Sequence, residues 1–160
     1  MMQVLIQETQ GGPLVNKYGE IVGINTLKIT DGEEMGFAIP TKSFLSIVQQ
    51  VYKLGSSYQT PYICVFGYDT SIANYYDKTD LTSGVYVLDI AEDSPGFISG
   101  LKEGDVISEV NGEYVGNVLD LRDILFRNNC YEQLELTVLR NGKNYRCNIV
   151  LRPHPVTNIT

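Results

Sequence analysis

Along the chain, short runs in which apolar and polar residues alternate are separated by two longer stretches in which apolar residues recur every three or four positions. Residues 13–16 and 21–27 read as two short strands, and the polar Lys17-Tyr18-Gly19-Glu20 between them is a hairpin signal. Residues 30–36, TDGEEMG, read as a polar surface loop, and residues 37–40 as one more strand closed by proline. In the following TKSFLSIVQQVYKLG, Phe44, Leu45, Val48, Val51 and Tyr52 recur at helical spacing. Thr41 is placed to cap this helix and Gly55 to end it. Its apolar stripe needs a surface to pack on.

Small, polar and proline residues cluster in GSSYQTP, residues 55–61, which makes this stretch the best linker candidate. Beyond it the pattern predicts a strand over 62–66, a short polar and aromatic helix over 71–76, and a strong strand over 84–90. Asp93 or Ser94 can cap a short helix that opens with Pro95 and stops at Gly100. A strand over 105–110 turns at Asn111-Gly112, and a longer helix over 118–127 carries Val118, Leu121, Ile124 and Leu125 in register. The last element is a hairpin, 134–139 against 145–151, across Asn141-Gly142.

Composition narrows the chemistry. With 160 residues and 43% hydrophobic content the chain can bury a core of one ordinary domain or two small ones. The net charge of -7, with Lys and Arg scattered singly, leaves no basic patch for a phosphate backbone, so no nucleic-acid partner is expected. No apolar run approaches the roughly 18 residues of a membrane-spanning segment, and the N-terminus lacks the order of a signal peptide. Three cysteines stand far apart with a single histidine, His154, so neither zinc nor any other metal or cofactor is expected. Cys64 and Cys147 read as small buried hydrophobes, and Cys130, after a polar Asn-Asn pair, as the more exposed thiol. The terminal Asn158-Ile159-Thr160 matches a glycosylation triplet of a kind that arises often by chance.

The run SPGFISGLKEGDVISEVNG, residues 94–112, together with the order of elements around it, resembles a PDZ domain of the permuted bacterial type. The opening ETQGGPLVNKYGEIVGINTL, residues 8–27, resembles the end of an HtrA/DegP-type trypsin-like serine protease, in which such a PDZ domain follows the catalytic domain. The fold class expected is therefore mainly β with α (α+β), a remnant of a trypsin-like β-barrel followed by a permuted bacterial PDZ domain. The resemblance divides the chain into a protease remnant with its terminal helix (1–55), a linker (56–61), a PDZ domain (62–153) and a tail (154–160).

The PDZ resemblance implies binding of peptide or protein C-termini in a groove between a strand and the longer helix. A strand with a free edge takes up an extended peptide through backbone hydrogen bonds, and side pockets read alternate residues. Tyr62, Ile63, Cys64 and Val65 correspond to the loop whose N–H groups would hold the terminal carboxylate. Relatives usually carry glycine where Cys64 stands, and glycine allows positive φ and close approach. Ile63 and Val65 would line the terminal-residue pocket with Leu121 and Leu125 from the helix, although all four also fit a plain core. Arg122 could hold an acidic peptide or simply be solvated.

The protease resemblance places the nucleophile at Gln10 and the oxyanion-hole glycine at Glu8. A carboxamide has no nucleophilic oxygen of the needed kind, and a carboxylate beside the hole would repel the developing oxyanion. Thr9 is one residue out of place, His154 lies past the last hairpin as a tail residue, and the family's histidine and aspartate come earlier than this sequence begins. No catalytic activity is expected of this chain. Two accounts stay open: a natural pseudoprotease, or a fragment of an active serine endopeptidase of protein quality control. A barrel cut in this way leaves an unpaired apolar face, which points to self-association if nothing else covers it. The family works outside the cytoplasm, which gives the only hint to location.

Overall fold

The computed structural model describes residues 10–29, 35–77 and 81–154, with no side-chain detail for 27–29, 35 and 77. Glu8, Thr9, most of the 30–36 loop and the 158–160 triplet lie outside these residues. The chain forms two compact units that divide between Gln49 and Gln50.

The first unit is an antiparallel sheet in the order β1 (Pro13–Val15), β2 (Ile21–Ile29), β3 (Met35–Pro40). The first hairpin turns where expected, and Asn16 holds the turn together. Its Oδ1 accepts from the N–H groups of Tyr18 and Glu20, at 2.9 and 3.1 Å. Gly23 lets β2 and β3 approach closely, since a Cβ there would stand 2.8 Å from the Ile39 carbonyl oxygen. Thr41 does not act as the expected helix cap. Its hydroxyl donates to the Ile21 carbonyl at 2.8 Å, and a 3-10 turn, Thr41–Ser43, precedes helix α1 (Leu45–Leu54). The last turns of α1, from Gln50 on, already belong to the second unit. The residues expected as a linker form a second 3-10 turn, Gly55–Ser57, and lead into β4 (Pro61–Tyr62).

The second unit is built on an antiparallel sheet in the order β10-β9-β7-β6-β5. Its strands are β5 (Val65–Asp69), β6 (Val85–Ile90), β7 (Val106–Val110), β9 (Gln133–Arg140) and β10 (Lys143–Val150), and the short β8 (Glu113–Tyr114) pairs with β7. Helices α2 (Thr70–Asp77) and α3 (Pro95–Ile98) connect strands, and α4 (Val118–Arg127) runs over the predicted span. The 134–151 hairpin closes at Asn141-Gly142, where φ is 50° and 74°, the paired positive values of the tight turn that this dipeptide favours. Ser94 caps α3 by accepting from the Phe97 N–H at 3.1 Å, and Asn117 caps α4 through the Asp120 N–H at 3.0 Å. The apolar positions of both patterns meet in one core in which Val87, Ile107, Val110, Leu136, Ile149 and Leu151 are fully buried.

Two features lay outside the pattern reading. The strand expected over 62–66 is broken into β4 and β5, because Cys64 sits at φ 54° and no strand passes through a left-handed residue. β4 then pairs with β11 (Arg152–Pro153), and the His154 N–H donates to the Thr60 carbonyl at 2.8 Å. The histidine ring lies against Tyr62, 5.3 Å between centroids, so His154 is part of the domain rather than of a tail. The cysteines also differ from expectation: all three are half-buried and none forms a disulfide. Cys147 packs against the core, and Cys130 is held by its Sγ–H donating to the Gln59 carbonyl at 3.4 Å.

Candidate functional site

β5 is the edge of its sheet: one side pairs with β6, and the other lies along α4. Asp69 at the end of β5 accepts a hydrogen bond from the Val118 N–H, the first of α4, at 2.7 Å. Because α4 also contacts β4, the helix runs back along β5 toward the loop at residues 62–65. This loop is fixed from behind: the Gly96 N–H donates to the Ile63 carbonyl at 3.0 Å. Among the described residues, no backbone acceptor takes the N–H of Ile63 or Cys64. The left-handed Cys64 turns the chain just after these two amides, before Val65, in the conformation that glycine would adopt without strain.

The side chains assigned to the groove come together. Ile63, Leu121 and Leu125 are buried in the common core, at 5%, 6% and 6% exposure, and Val65 is half-buried against them. They pack as part of one core, at the positions where the groove wall was expected. Tyr62 is half-buried beside His154. Arg122 points outward and stacks on Phe126, with its guanidinium carbon 5.4 Å from the ring centre. Sequence reasoning missed Gly96 and Asp69. A Cβ at Gly96 would stand 2.8 Å from Val65 Cγ2 and 3.0 Å from the Ile63 carbonyl oxygen, so only glycine lets α3 approach the loop this closely. The Pro95-Gly96 dipeptide was visible in the sequence, but the partner that makes the glycine necessary was not.

The match to the family model for the PDZ domain covers residues 74–151. The second unit is a PDZ domain. The homology extends beyond it, over most of the chain, to HtrA/DegP-type serine proteases. Serine protease Do-like HtrB of Bacillus subtilis (strain 168) is 35% identical over 152 residues, covering 88% of this chain and 33% of its own length. Serine protease Do-like HtrA of the same organism is 37% identical over 144 residues, covering 83% and 32%. Among solved structures, the HtrA-type protease AlgW with decapeptide is 26% identical with a TM-score of 0.66, covering 91% of this chain and 46% of that one. The chain thus spans about a third of the length of these curated relatives. The mostly β fold with some helix agrees with these neighbours, and a PDZ domain of this family is consistent with a peptide-binding module.

In the first unit, Gln10 is exposed and its Nε2 donates to the Thr26 carbonyl at 2.7 Å, while Gly11 beside it takes φ 85°. Among the described residues there is no cluster of His, Cys, Asp and Glu fit to hold a metal, and no helix is long and apolar enough to cross a membrane.

Proposed function

We propose that this chain binds hydrophobic peptide C-termini by β-strand addition to β5 and does not itself cleave peptide bonds. The observation that carries the reading is the free edge of β5 beside α4, headed by a loop whose Ile63 and Cys64 N–H groups are open to an acceptor. A peptide paired with this edge would bring its carboxylate to those amides and its last side chain against Ile63, Val65, Leu121 and Leu125. The decapeptide bound to AlgW is in keeping with such a mode. For the non-catalytic part, the support is Gln10 at the nucleophile position, whose carboxamide cannot be activated as a serine hydroxyl is.

The test uses fluorescent decapeptides ending in Val, Leu, Ile or Phe, as free acids and as C-terminal amides, titrated against the full chain. Free acids are expected to bind and amides to bind at least about tenfold more weakly, since a charge-assisted anchor is lost. Equal binding of the two forms, or binding of neither, would sink the proposal. A fluorophosphonate probe, applied alongside, is expected to leave the chain unlabelled.

Exposed apolar side chains of the first unit, among them Ile21, Phe37, Ile39 and Val48 at 45–54% exposure, support a covered face in the working protein. We assign this face to self-association or to further protease-barrel structure, and sedimentation of the full chain distinguishes a monomer from a dimer.

A further inference from the structure

The wall assigned to the peptide groove exposes little surface. Leu121 and Leu125 are each 6% exposed and Ile63 is 5%, so these side chains already fill one another's space. A peptide side chain would gain room there if α4 moved away from β5. What holds α4 in place therefore sets how readily the groove opens. At its N-terminal end the holder is Asp69, through the Val118 N–H.

At the other end the holder comes from α1. Gln50, 8% exposed, donates from Nε2 to the Arg127 carbonyl at 2.6 Å. Arg127 is the last residue of α4, so its carbonyl is one of those that a helix leaves without an internal partner. Asn128 satisfies another by donating from its side chain to the Ile124 carbonyl at 2.7 Å. The chain that follows Gln50 then wraps the same end of α4. Leu54, Ser57 and Tyr58 face Asn129, Cys130 and Tyr131 across a shallow cleft, and the Cys130 thiol donates to the Gln59 carbonyl. From there the chain enters β4 and the 62–65 loop directly.

We propose that Gln50 is a positioning residue of the peptide groove: its hydrogen bond to the end of α4 keeps the groove narrow and thereby lowers peptide affinity. The proposal rests on the peptide-binding reading above. When the binding-competent form is only fractionally populated, apparent affinity falls by that fraction, and loosening the closed form restores it. In this reading Gln50 acts through its bond to the end of α4 and not by contact with the peptide.

The same free-acid and amide decapeptides are titrated against the full chain and three variants, with thermal melting measured in parallel. Gln50→Met keeps the shape and removes the donor. Gln50→Glu, in case the methionine variant does not fold, replaces the donor by a carboxylate that repels the carbonyl at neutral pH. Gln50→Lys keeps a donor. The first two are expected to bind the free acids about three- to tenfold more tightly, as one lost hydrogen bond in the closed form allows, and to melt at lower temperature. The lysine variant is expected to bind like wild type. A merely structural role would weaken binding as stability falls, so a gain is the signature. Unchanged or weaker binding by both donor-less variants, or an equal gain in Gln50→Lys, overturns this inference while leaving the peptide reading intact. Binding of no free acid by any variant overturns both.

Discussion

Gly96→Ala sets two known effects against each other at the back of the peptide loop. Gly96 lies in the first turn of α3 at a negative φ, and alanine in a helix is favoured over glycine by up to about 1 kcal/mol. Against this, the new Cβ would lie 2.8 Å from Val65 Cγ2 and 3.0 Å from the Ile63 carbonyl oxygen, with Ile90 Cγ2 at 3.5 Å closing the remaining side. Val65 is β-branched and held in a strand, so it has no free rotamer into which to retreat. Relief has to come from moving the loop, and overpacking of this kind costs about 1–3 kcal/mol. The shift also stretches the 3.0 Å hydrogen bond from Gly96 to Ile63, a further loss of about 0.5–1.5 kcal/mol. The sum exceeds the helical gain, so a net destabilisation of about 1–3 kcal/mol is expected in urea unfolding followed by circular dichroism, with free-acid peptide binding weakened about threefold or more. An alanine variant as stable as wild type, or more so, would mean that helix propensity prevails and that Gly96 does not set the position of the loop.

Two further outcomes are expected. Asp105 is fully buried and accepts from Arg140 Nε at 2.6 Å, Arg140 Nη2 at 2.7 Å and the Lys102 N–H at 2.9 Å, so Asp105→Ala should cost about 3–5 kcal/mol in urea unfolding. A loss under about 1 kcal/mol would show that the pair contributes no more than a surface one. Burial pushes the Cys147 thiol above its ordinary value of 9.0, with the Asp105 carboxylate adding to the rise. The folded state thus favours the neutral thiol, a contribution that is full below pH 9.0 and is lost as pH rises above it through the folded value. Melting temperature should therefore fall more steeply above pH 9 in wild type than in Cys147→Ala, and equal slopes would refute the assignment.

The elements that local pattern controls were legible. The periodicity of Val118, Leu121, Ile124 and Leu125 sufficed for α4, and Asn141-Gly142 for the last hairpin, because each is decided within a dozen residues of sequence. The site was legible only in part. Ile63, Val65, Leu121 and Leu125 are brought together as expected, but the groove's fixings are contacts between distant segments. Asp69 and Val118 are 49 residues apart and Gln50 and Arg127 are 77 apart, and no periodicity announces a side chain bound to a remote backbone group. The break between β4 and β5 escaped for another reason. A cysteine between two apolar residues reads as strand, and nothing in its chemistry signals a positive φ.

Two positions of the family pattern, one a glycine and one the serine nucleophile, carry other residues here, and their consequences differ in kind. Cys64 takes φ 54° in spite of its Cβ, so the backbone that would face a carboxylate keeps its shape, and the substitution costs energy, about 1–2 kcal/mol, without removing a donor. The surrounding bonds bear that cost: β4 is pinned by β11 on one side, and the Ile63 carbonyl by Gly96 on the other. Gln10 sits beside Gly11, which takes a positive φ of 85°. Yet no backbone geometry can turn a carboxamide into a nucleophile, and the Gln10 amide is already spent on the Thr26 carbonyl. A binding loop made of main-chain amides tolerates a changed side chain as long as the fold holds the backbone in place. A catalytic position does not, because there the side chain is the reagent. That asymmetry is the physical basis on which binding, and not cleavage, is proposed for this chain.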